Sequence, residues 1–340
     1  ALLVIGYDAR HNSKDFALDT AAVATAAGAR AMIYPHHVPT PLLAWAVRHL
    51  NADAGVMVTA SHNPPRDNGY KVYLGGRAVS EGAQGVQIVP PYDAKIAEKI
   101  AATSDADEIP LATTGWTEIG EDVIEAYLER AASLVPHQNF SDLKIVLTSM
   151  HGVGGETMKE VLARAGFTNV TEVAEQAQPD PGFPTVAFPN PEEPGALDLA
   201  LSKAASLKAD LVIANDPDAD RCSAAIPTPN GWRQLNGDEI GSLLGDQIAK
   251  IGAITGGTLA SSIVSSRLLK EIASRHGLTH VSTLTGFKWI ARVPQLIFGY
   301  EEAIGFCVAP DGVRDKDGIT AGLLLAHVAA QLRSKNKTIG

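Results

Sequence analysis

The chain has 340 residues, with 28 Lys and Arg against 38 Asp and Glu, a formal charge of −10. That balance excludes an extended nucleic-acid surface, which clusters positive charge against phosphates. A hydrophobic share of 45% with 19% charged residues supplies packed cores and excludes a disordered polyampholyte.

At about 100 to 200 residues per domain, the length predicts two or three domains. The two cysteines, Cys222 and Cys307, form neither a disulfide framework nor a Cys-x-x-Cys metal site, which fits a reducing cytosol. Leu2 to Gly6 is apolar with no basic leader, and no apolar run nears the roughly 20 residues that span a bilayer, so neither export nor membrane insertion is expected.

In chain order, the first unit opens with a strand from Leu2 to Ile5, a helix from about Lys14 to Ala27, Gly28, and a second apolar run from Ala29 to Tyr34. The same grammar returns at Leu143 to Leu147, with a helix ending near Ala165, Gly166 and the run Phe167 to Val173. It returns again at Leu259 to Val264, with a helix ending near His276, Gly277 and Leu278 to Leu284. Each glycine stands where a helix ends in the left-handed conformation, which a side chain disfavours. The alternation predicts an α/β fold of three successive, topologically similar domains with mixed, mainly parallel sheets. The expected domains are 1–117, 118–235 and 236–340. The first boundary is set near Thr114 to Trp116, after the polar stretch Thr103 to Glu108. The second follows a hairpin turning at Asn230-Gly231. Six prolines between Pro179 and Gly195 predict a long ordered loop inside the second domain.

Two motifs carry chemistry. Thr59-Ala60-Ser61-His62-Asn63-Pro64 follows the apolar run Ala54 to Val58, where loops beyond strand ends form the ligand crevice of an open α/β sheet. Arg66 and Lys71 are close by, and the alternative is a plain turn at Asn63-Pro64. Asp216, Asp218 and Asp220 follow the strand Leu211 to Ala214. If sheltered, each carboxylate pair repels by roughly 3 kcal/mol at about 6 Å and an effective dielectric of 20, so a cation is needed; if exposed, a solvated acidic turn suffices. An EF-hand is excluded, because Arg221 and Pro227 stand at the sixth and twelfth positions. Hard oxygen ligands without accompanying His or Cys favour magnesium over zinc. The stretch His151 to Glu156 lacks a Gly-Lys-Ser/Thr ending and reads as a strand-to-helix turn. Arg10 follows the first strand beside the proposed crevice, and by itself it reads as an ordinary surface guanidinium. Gly299 to Gly305, with Glu301 and Glu302, and Arg314 to Gly318, with Lys316, could bind hydroxyls and phosphate or form a helix entrance capped by Asp317.

Taken together, GYDAR (Gly6 to Arg10), TASHNP (Thr59 to Pro64), PNPE (Pro189 to Glu192), DPDADR (Asp216 to Arg221), NGDEIG (Asn236 to Gly241), TGFK (Thr285 to Lys288) and GYEEAIGF (Gly299 to Phe306) resemble the α-D-phosphohexomutase family of phosphoglucomutases, phosphomannomutases and phosphopentomutases. The resemblance implies a phosphorylated catalytic Ser61 whose phosphate joins Asp216, Asp218 and Asp220 around Mg2+. Arg10, His62, Lys71 and Arg221 would form the positive side of the site. His62 and Lys71 would be acid/base candidates, with Lys316 a third. Thr285, Gly286, Lys288 and Glu301 would join Arg221 in binding substrate. It implies a cytoplasmic enzyme that interconverts hexose 1-phosphate and hexose 6-phosphate, of glucose or mannose, through a sugar bisphosphate. Glucose 1,6-bisphosphate would activate it, and a small phosphosugar would be its partner.

Three departures qualify this expectation. Ala303 stands where many members have Ser, which removes one hydroxyl contact and keeps a phosphopentomutase open. The segment before the first strand and a fourth, C-terminal domain with its RxSGT-type phosphate loop are expected to be absent. That keeps open a non-catalytic sugar-phosphate-binding fragment, besides a magnesium-dependent phosphatase. Neither the sugar nor the oligomeric state is legible.

Overall fold

Three sheets form from the same strand order, because each unit lays its third strand beside its first and its second on the other side. The computed structural model describes residues 1–103 and 105–340, so Ser104, in the polar stretch expected near the first boundary, lies outside the described residues. The first unit holds β1 (Leu2–Tyr7), α1 (Ser13–Ala26), β2 (Arg30–Ile33), α2 (Thr40–His49), β3 (Ala54–Val58), β4 (Tyr70–Leu74), β5 (Val86–Gln87), α3 (Tyr92–Ala101) and β6 (Thr117–Glu118). Its sheet runs β5-β4-β3-β1-β2-β6. Here α4 (Glu121–Ala132) leads to β7 (Ile145–Thr148), α5 (Gly155–Arg164), β8 (Val170–Glu172), α6 (Asp198–Leu207), β9 (Leu211–Asn215), β10 (Cys222–Thr228) and β11 (Gly231–Leu235), in the sheet β11-β10-β9-β7-β8. The last unit holds α7 (Gly237–Thr255), β12 (Thr258–Ser262), α8 (Leu268–Arg275), β13 (Thr279–Thr283), α9 (Phe287–Ile290), β14 (Leu296–Glu301), β15 (Gly305–Cys307) and α10 (Gly318–Arg333), in the sheet β13-β12-β14-β15.

In every sheet the first three strands are parallel and the next one is antiparallel at the third strand's free side. These are the mixed, mainly parallel sheets expected. Gly28, Gly166 and Gly277 have φ of 82°, 100° and 69°, as their places behind α1, α5 and α8 require. The hairpin between β10 and β11 differs in detail from the expected turn. Gly231 already pairs with Thr228, so Pro229 and Asn230 form the tip, and of the Asn230-Gly231 pair Gly231 alone has positive φ. The first sheet extends to Glu118, because β6 pairs with β2.

The helix α10 ties the units together. It is apolar on all sides and every residue from Gly318 to Ala330 is buried, as expected of a helix surrounded by protein. It packs on α4, α5, β9 and β10 as well as on α7 and β15. Its N-cap is Asp317, which accepts from the main-chain N–H groups of Ile319 and Thr320, both at 3.0 Å, and from Tyr127 Oη at 3.1 Å. Burial raises the Asp317 pKa to about 6. All three of those contacts use the carboxyl as an acceptor. Replacing it with Asn keeps those acceptor contacts and removes a charge that burial disfavours. Asp317→Ala should lower unfolding free energy by about 1–2 kcal/mol, whereas Asp317→Asn should remain within about 0.5 kcal/mol of wild type in denaturant titrations.

Candidate active site

All three parallel cores send a functional loop from the end of the third strand, and the three loops meet. Ser61 follows β3, Asp216 follows β9, and Glu301 ends β14. This is where side chains reach a crevice outside an open sheet without interrupting its ladder.

Ser61 Oγ donates to Asp216 Oδ2 at 2.8 Å, joining residues 155 positions apart. The main chain at Ser61 has φ of 50°, a region costly for a residue with a side chain. Several contacts stabilise it. Thr59 Oγ1 accepts from the Ser61 N–H at 2.9 Å and donates to Asp8 Oδ2 at 2.6 Å. Beneath the loop, Arg10 uses its terminal N–H groups on four carbonyls: Ser61 and Asn63 at 2.7 and 2.5 Å, and Pro64 and Asp67 at 2.8 and 3.2 Å. The guanidinium also lies 5.1 Å from the Phe183 ring centroid. Arg10 thus supports the loop from below, with its terminal donors committed to main chain.

The acidic loop is buried. Asp216, Asp218 and Asp220 are each 0% exposed and present ligand atoms within 4.8 Å of one another. Main-chain N–H groups hold three consecutive carbonyls of this loop from three units: Val153 holds Pro217, Thr40 holds Asp218 and Gly318 holds Ala219, at 2.8, 2.9 and 3.1 Å. The Thr40 hydroxyl donates to Asp218 Oδ2 as well. Lys71 Nζ lies 2.6 Å from both Asp218 Oδ2 and Asp220 Oδ2, and Lys316 Nζ lies 3.1 Å from Asp220 Oδ2. Burial and the two neighbouring carboxylates push the Asp216 pKa to about 8. Burial would also raise Asp220, but Lys316, Lys71 and Arg221 overcome it and hold that carboxyl below its usual range.

Two carboxylate oxygens, Asp218 Oδ1 and Asp220 Oδ1, are buried without hydrogen-bond partners. Such atoms are strongly disfavoured unless something charged satisfies them. Three clustered hard oxygens with two unsatisfied suit a divalent cation of the Mg2+ type.

His62 sits beside this cluster, 6.1 Å from the Phe188 ring in the proline-rich loop. Burial and Arg221 lower its pKa to about 4, leaving the ring neutral at pH 7. Arg221 faces the third unit: its Nη1 donates to the Ala303 carbonyl at 3.2 Å and lies 3.9 Å from Glu192. Glu301 Oε1 accepts from the Gly286 N–H at 2.6 Å, which links two of the expected sugar-binding positions. Burial raises its pKa. Thr285 is exposed, and Lys288 Nζ lies 5.9 Å from the Trp289 ring. The structure therefore gathers Ser61, His62, Lys71, the three aspartates, Arg221 and Lys316. Glu301 and Gly286 are joined in the adjoining third-unit wall, whereas Thr285 and Lys288 flank Gly286 in sequence and make no hydrogen bond or ion pair with the cluster among the described residues.

Sequence reasoning did not single out Thr40, Phe183 or the spatial role of Gly152 and Gly154. A Cβ at Gly152 would lie 2.4 Å from Pro217 Cα and O, and one at Gly154 would lie 2.5 Å from Ala219 Cβ. The glycine-rich turn thus lets the acidic loop pack down. Its lack of a nucleotide-loop ending was legible; its service to a loop 60-odd residues later was not.

Models of the phosphoglucomutase/phosphomannomutase α/β/α domains I, II and III match residues 1–107, 125–231 and 236–339. A probable phosphomannomutase of Haemophilus influenzae is 47% identical over 99% of this chain and 69% of its own length. A probable phosphoribomutase of Schizosaccharomyces pombe is 38% identical over 99% of this chain, which spans 60% of that relative. The crystal structure of a putative phosphomannomutase from Thermus thermophilus superposes with a TM-score of 0.82 at 27% identity, covering 99% of this chain and 72% of that one.

Gly152→Ala should push Pro217 away and weaken Mg2+ binding by at least about tenfold in calorimetric titration. Gly182→Ala, whose Cβ would meet only the flexible Asp180 side chain, should leave the affinity unchanged.

Proposed function

Because this chain belongs to the phosphoglucomutase/phosphomannomutase family, we propose that it is a phosphosugar mutase that moves a phosphoryl group between two hydroxyls of a sugar through Ser61. The observation that supports this reading above the others is the 2.8 Å contact between Ser61 Oγ and Asp216 at the head of a buried triad with two unsatisfied oxygens. A resident Mg2+, held by Asp216, Asp218, Asp220 and the phosphoryl-bearing Ser61, would neutralise charge on the oxygens of the phosphoryl group in transit.

The chain's own groups do the rest. Ser61 carries the phosphoryl group, and the P–O bond at Ser61 Oγ breaks as a sugar hydroxyl forms a new one. That hydroxyl's proton passes to a base; His62 is neutral near pH 7 and can accept it, though with a pKa lowered to about 4 it does so only as a weak base. Lys71 and Lys316, which lie against Asp218 and Asp220, offset negative charge on the triad and on the phosphoryl oxygens. The reverse transfer, from the other phosphate of the sugar bisphosphate, restores phospho-Ser61. Glu301, with its carboxylate oriented by the Gly286 N–H, accepts hydrogen bonds from sugar hydroxyls. Arg221 and Lys288 supply positive charge toward the substrate's phosphate, with Thr285 at the rim. Arg10 holds the Ser61 loop in place.

The substrate of this reading is a glucose or mannose phosphate, with glucose 1,6-bisphosphate as activator in a cytoplasmic setting. A pentose phosphate is the second reading, favoured by Ala303, which offers no hydroxyl two residues after Glu301. A coupled assay across glucose, mannose and ribose 1-phosphates decides between them.

Intact-protein mass spectrometry should find a single added phosphate after incubation with glucose 1,6-bisphosphate, located on Ser61 and missing from Ser61→Ala. Turnover should fall at least about a thousandfold in that variant. Chelation should abolish turnover and Mg2+ should restore it. A phosphate on another residue, or steady release of inorganic phosphate, would overturn the mutase reading.

A further inference from the structure

We propose that Tyr73 and Asp315 form a positioning pair that sets Lys316 against the acidic loop, so that the first unit determines where an ammonium carried by the third unit sits. The catalytic meaning of the pair rests on the mutase reading, but its geometry does not.

Asp315 is 1% exposed and Tyr73 is 0% exposed. Asp315 Oδ2 accepts from Tyr73 Oη and from Gln87 Nε2, each at 2.7 Å, so its two side-chain donors come from β4 and β5 of the first unit. Its other oxygen accepts from the main-chain N–H of Lys316 at 2.8 Å. One carboxylate thus joins the first sheet's edge to the backbone from which Lys316 springs.

On β4, Lys71 and Tyr73 are two residues apart and share a face. Lys71 Nζ approaches Asp220 Oδ2 at 2.6 Å, and Lys316 Nζ approaches the same oxygen at 3.1 Å. The two segments are therefore braced at two rungs, one through Asp220 and one from Tyr73 to Asp315. The Lys316 stem has little room to wander, because a Cβ at Gly305 would lie 2.5 Å from its Cδ.

The surroundings supply docking without this pair. Val86 lies in one apolar cluster with Ala260, Phe287, Ile290 and Cys307. Arg292 Nη2 donates to the Gln87 carbonyl at 2.9 Å, and Arg314 Nη1 donates to the Gly82 carbonyl at 3.0 Å. Among the described residues Asp315 makes no ion pair within 4.0 Å. A contact needed only for docking would not require a buried carboxylate, which is costly without a cation. One residue from Lys316, however, a held carboxylate anchors the backbone and adds negative charge beside the ammonium's stem.

The test uses the full chain and Tyr73→Phe, which keeps the ring and removes one donor. Lysine acylation by acetic anhydride, read by peptide mass spectrometry, reports the placement of each ammonium without any turnover. Labelling of Lys316 should rise at least about threefold in Tyr73→Phe, while labelling of Lys71 changes less than about twofold. With the sugar phosphate that the enzyme turns over, kcat should fall about tenfold and KM stay within about twofold. In a Lys316→Met background, Tyr73→Phe should cause no further fall, since a residue acting through Lys316 has nothing left to position. Unchanged Lys316 labelling overturns the inference, and so does an equal loss of kcat in both backgrounds, which marks a merely structural contact. If no sugar phosphate is turned over, the mutase reading fails while the labelling still decides the positioning.

Discussion

Mutual repulsion among three buried carboxylates is the constraint around which this molecule is organised. Asp216, Asp218 and Asp220 lie within 4.8 Å of one another with no solvent exposure, where each ionised pair repels by about 3 kcal/mol at an effective dielectric of 20. No one sheet supplies the remedy. Lys71 comes from the first unit, Arg221 from the second and Lys316 from the third. Even with them, Asp216 is pushed toward its neutral form and two carboxylate oxygens stay unsatisfied. The cluster is stable only where the three units meet, which makes correct domain assembly and a competent site one and the same condition.

The repeated topology supplies that meeting point cheaply. Each unit orders its strands third, first, second, with an antiparallel strand beyond the third. The loop after each third strand therefore emerges at an equivalent place, and three equivalent loops can face one another around a common centre. Ser61 Oγ reaches Asp216 from the first unit's loop, while main-chain bonds from Thr40 at the start of α2, Val153 in the turn after β7 and Gly318 at the start of α10 hold successive carbonyls of the acidic loop at that centre. The glycines at 152, 154 and 318 follow from this crowding. At Gly318 a Cβ would lie 2.2 Å from the Arg221 carbonyl oxygen, so the start of α10 touches the acidic loop backbone to backbone.

The threefold grammar was legible in the sequence because it is local: apolar run, helix, left-handed glycine, apolar run. The acidic triad and the Ser61 loop each left a plain or solvated turn open by themselves, and were legible as one site only through their combination with the other motifs. What escaped is everything that depends on two segments being folded together. Thr40 is an ordinary helix-start residue until Asp218 is placed beside it, and Tyr73 is an ordinary strand aromatic until Asp315 arrives from 242 residues away. Arg10 is the instructive case. It lies three residues past β1 and, instead of being the surface guanidinium expected, is 5% exposed, because which group such a side chain serves depends on which carbonyls lie within reach. Here four do. The Asn230-Gly231 turn shows the same limit on a smaller scale, because strand pairing drew Gly231 into the ladder and left Pro229 and Asn230 at the tip.

Among the described residues there is a single cluster of this kind, and the proposed reaction needs two phosphoryl transfers. In that proposal both would pass through Ser61, and since the serine is held by Thr59, Arg10 and Asp216, the sugar would be the part that turns. A substrate that presents first one end and then the other cannot be gripped by a pocket fitted to one orientation. The third-unit wall is consistent with that demand. Glu301 is a carboxylate, able to accept from two hydroxyls at once, and Ala303 contributes only a main-chain carbonyl, already engaged by Arg221. Under the proposed reading, recognition by a few adaptable acceptors would sacrifice discrimination among sugars for tolerance of two poses.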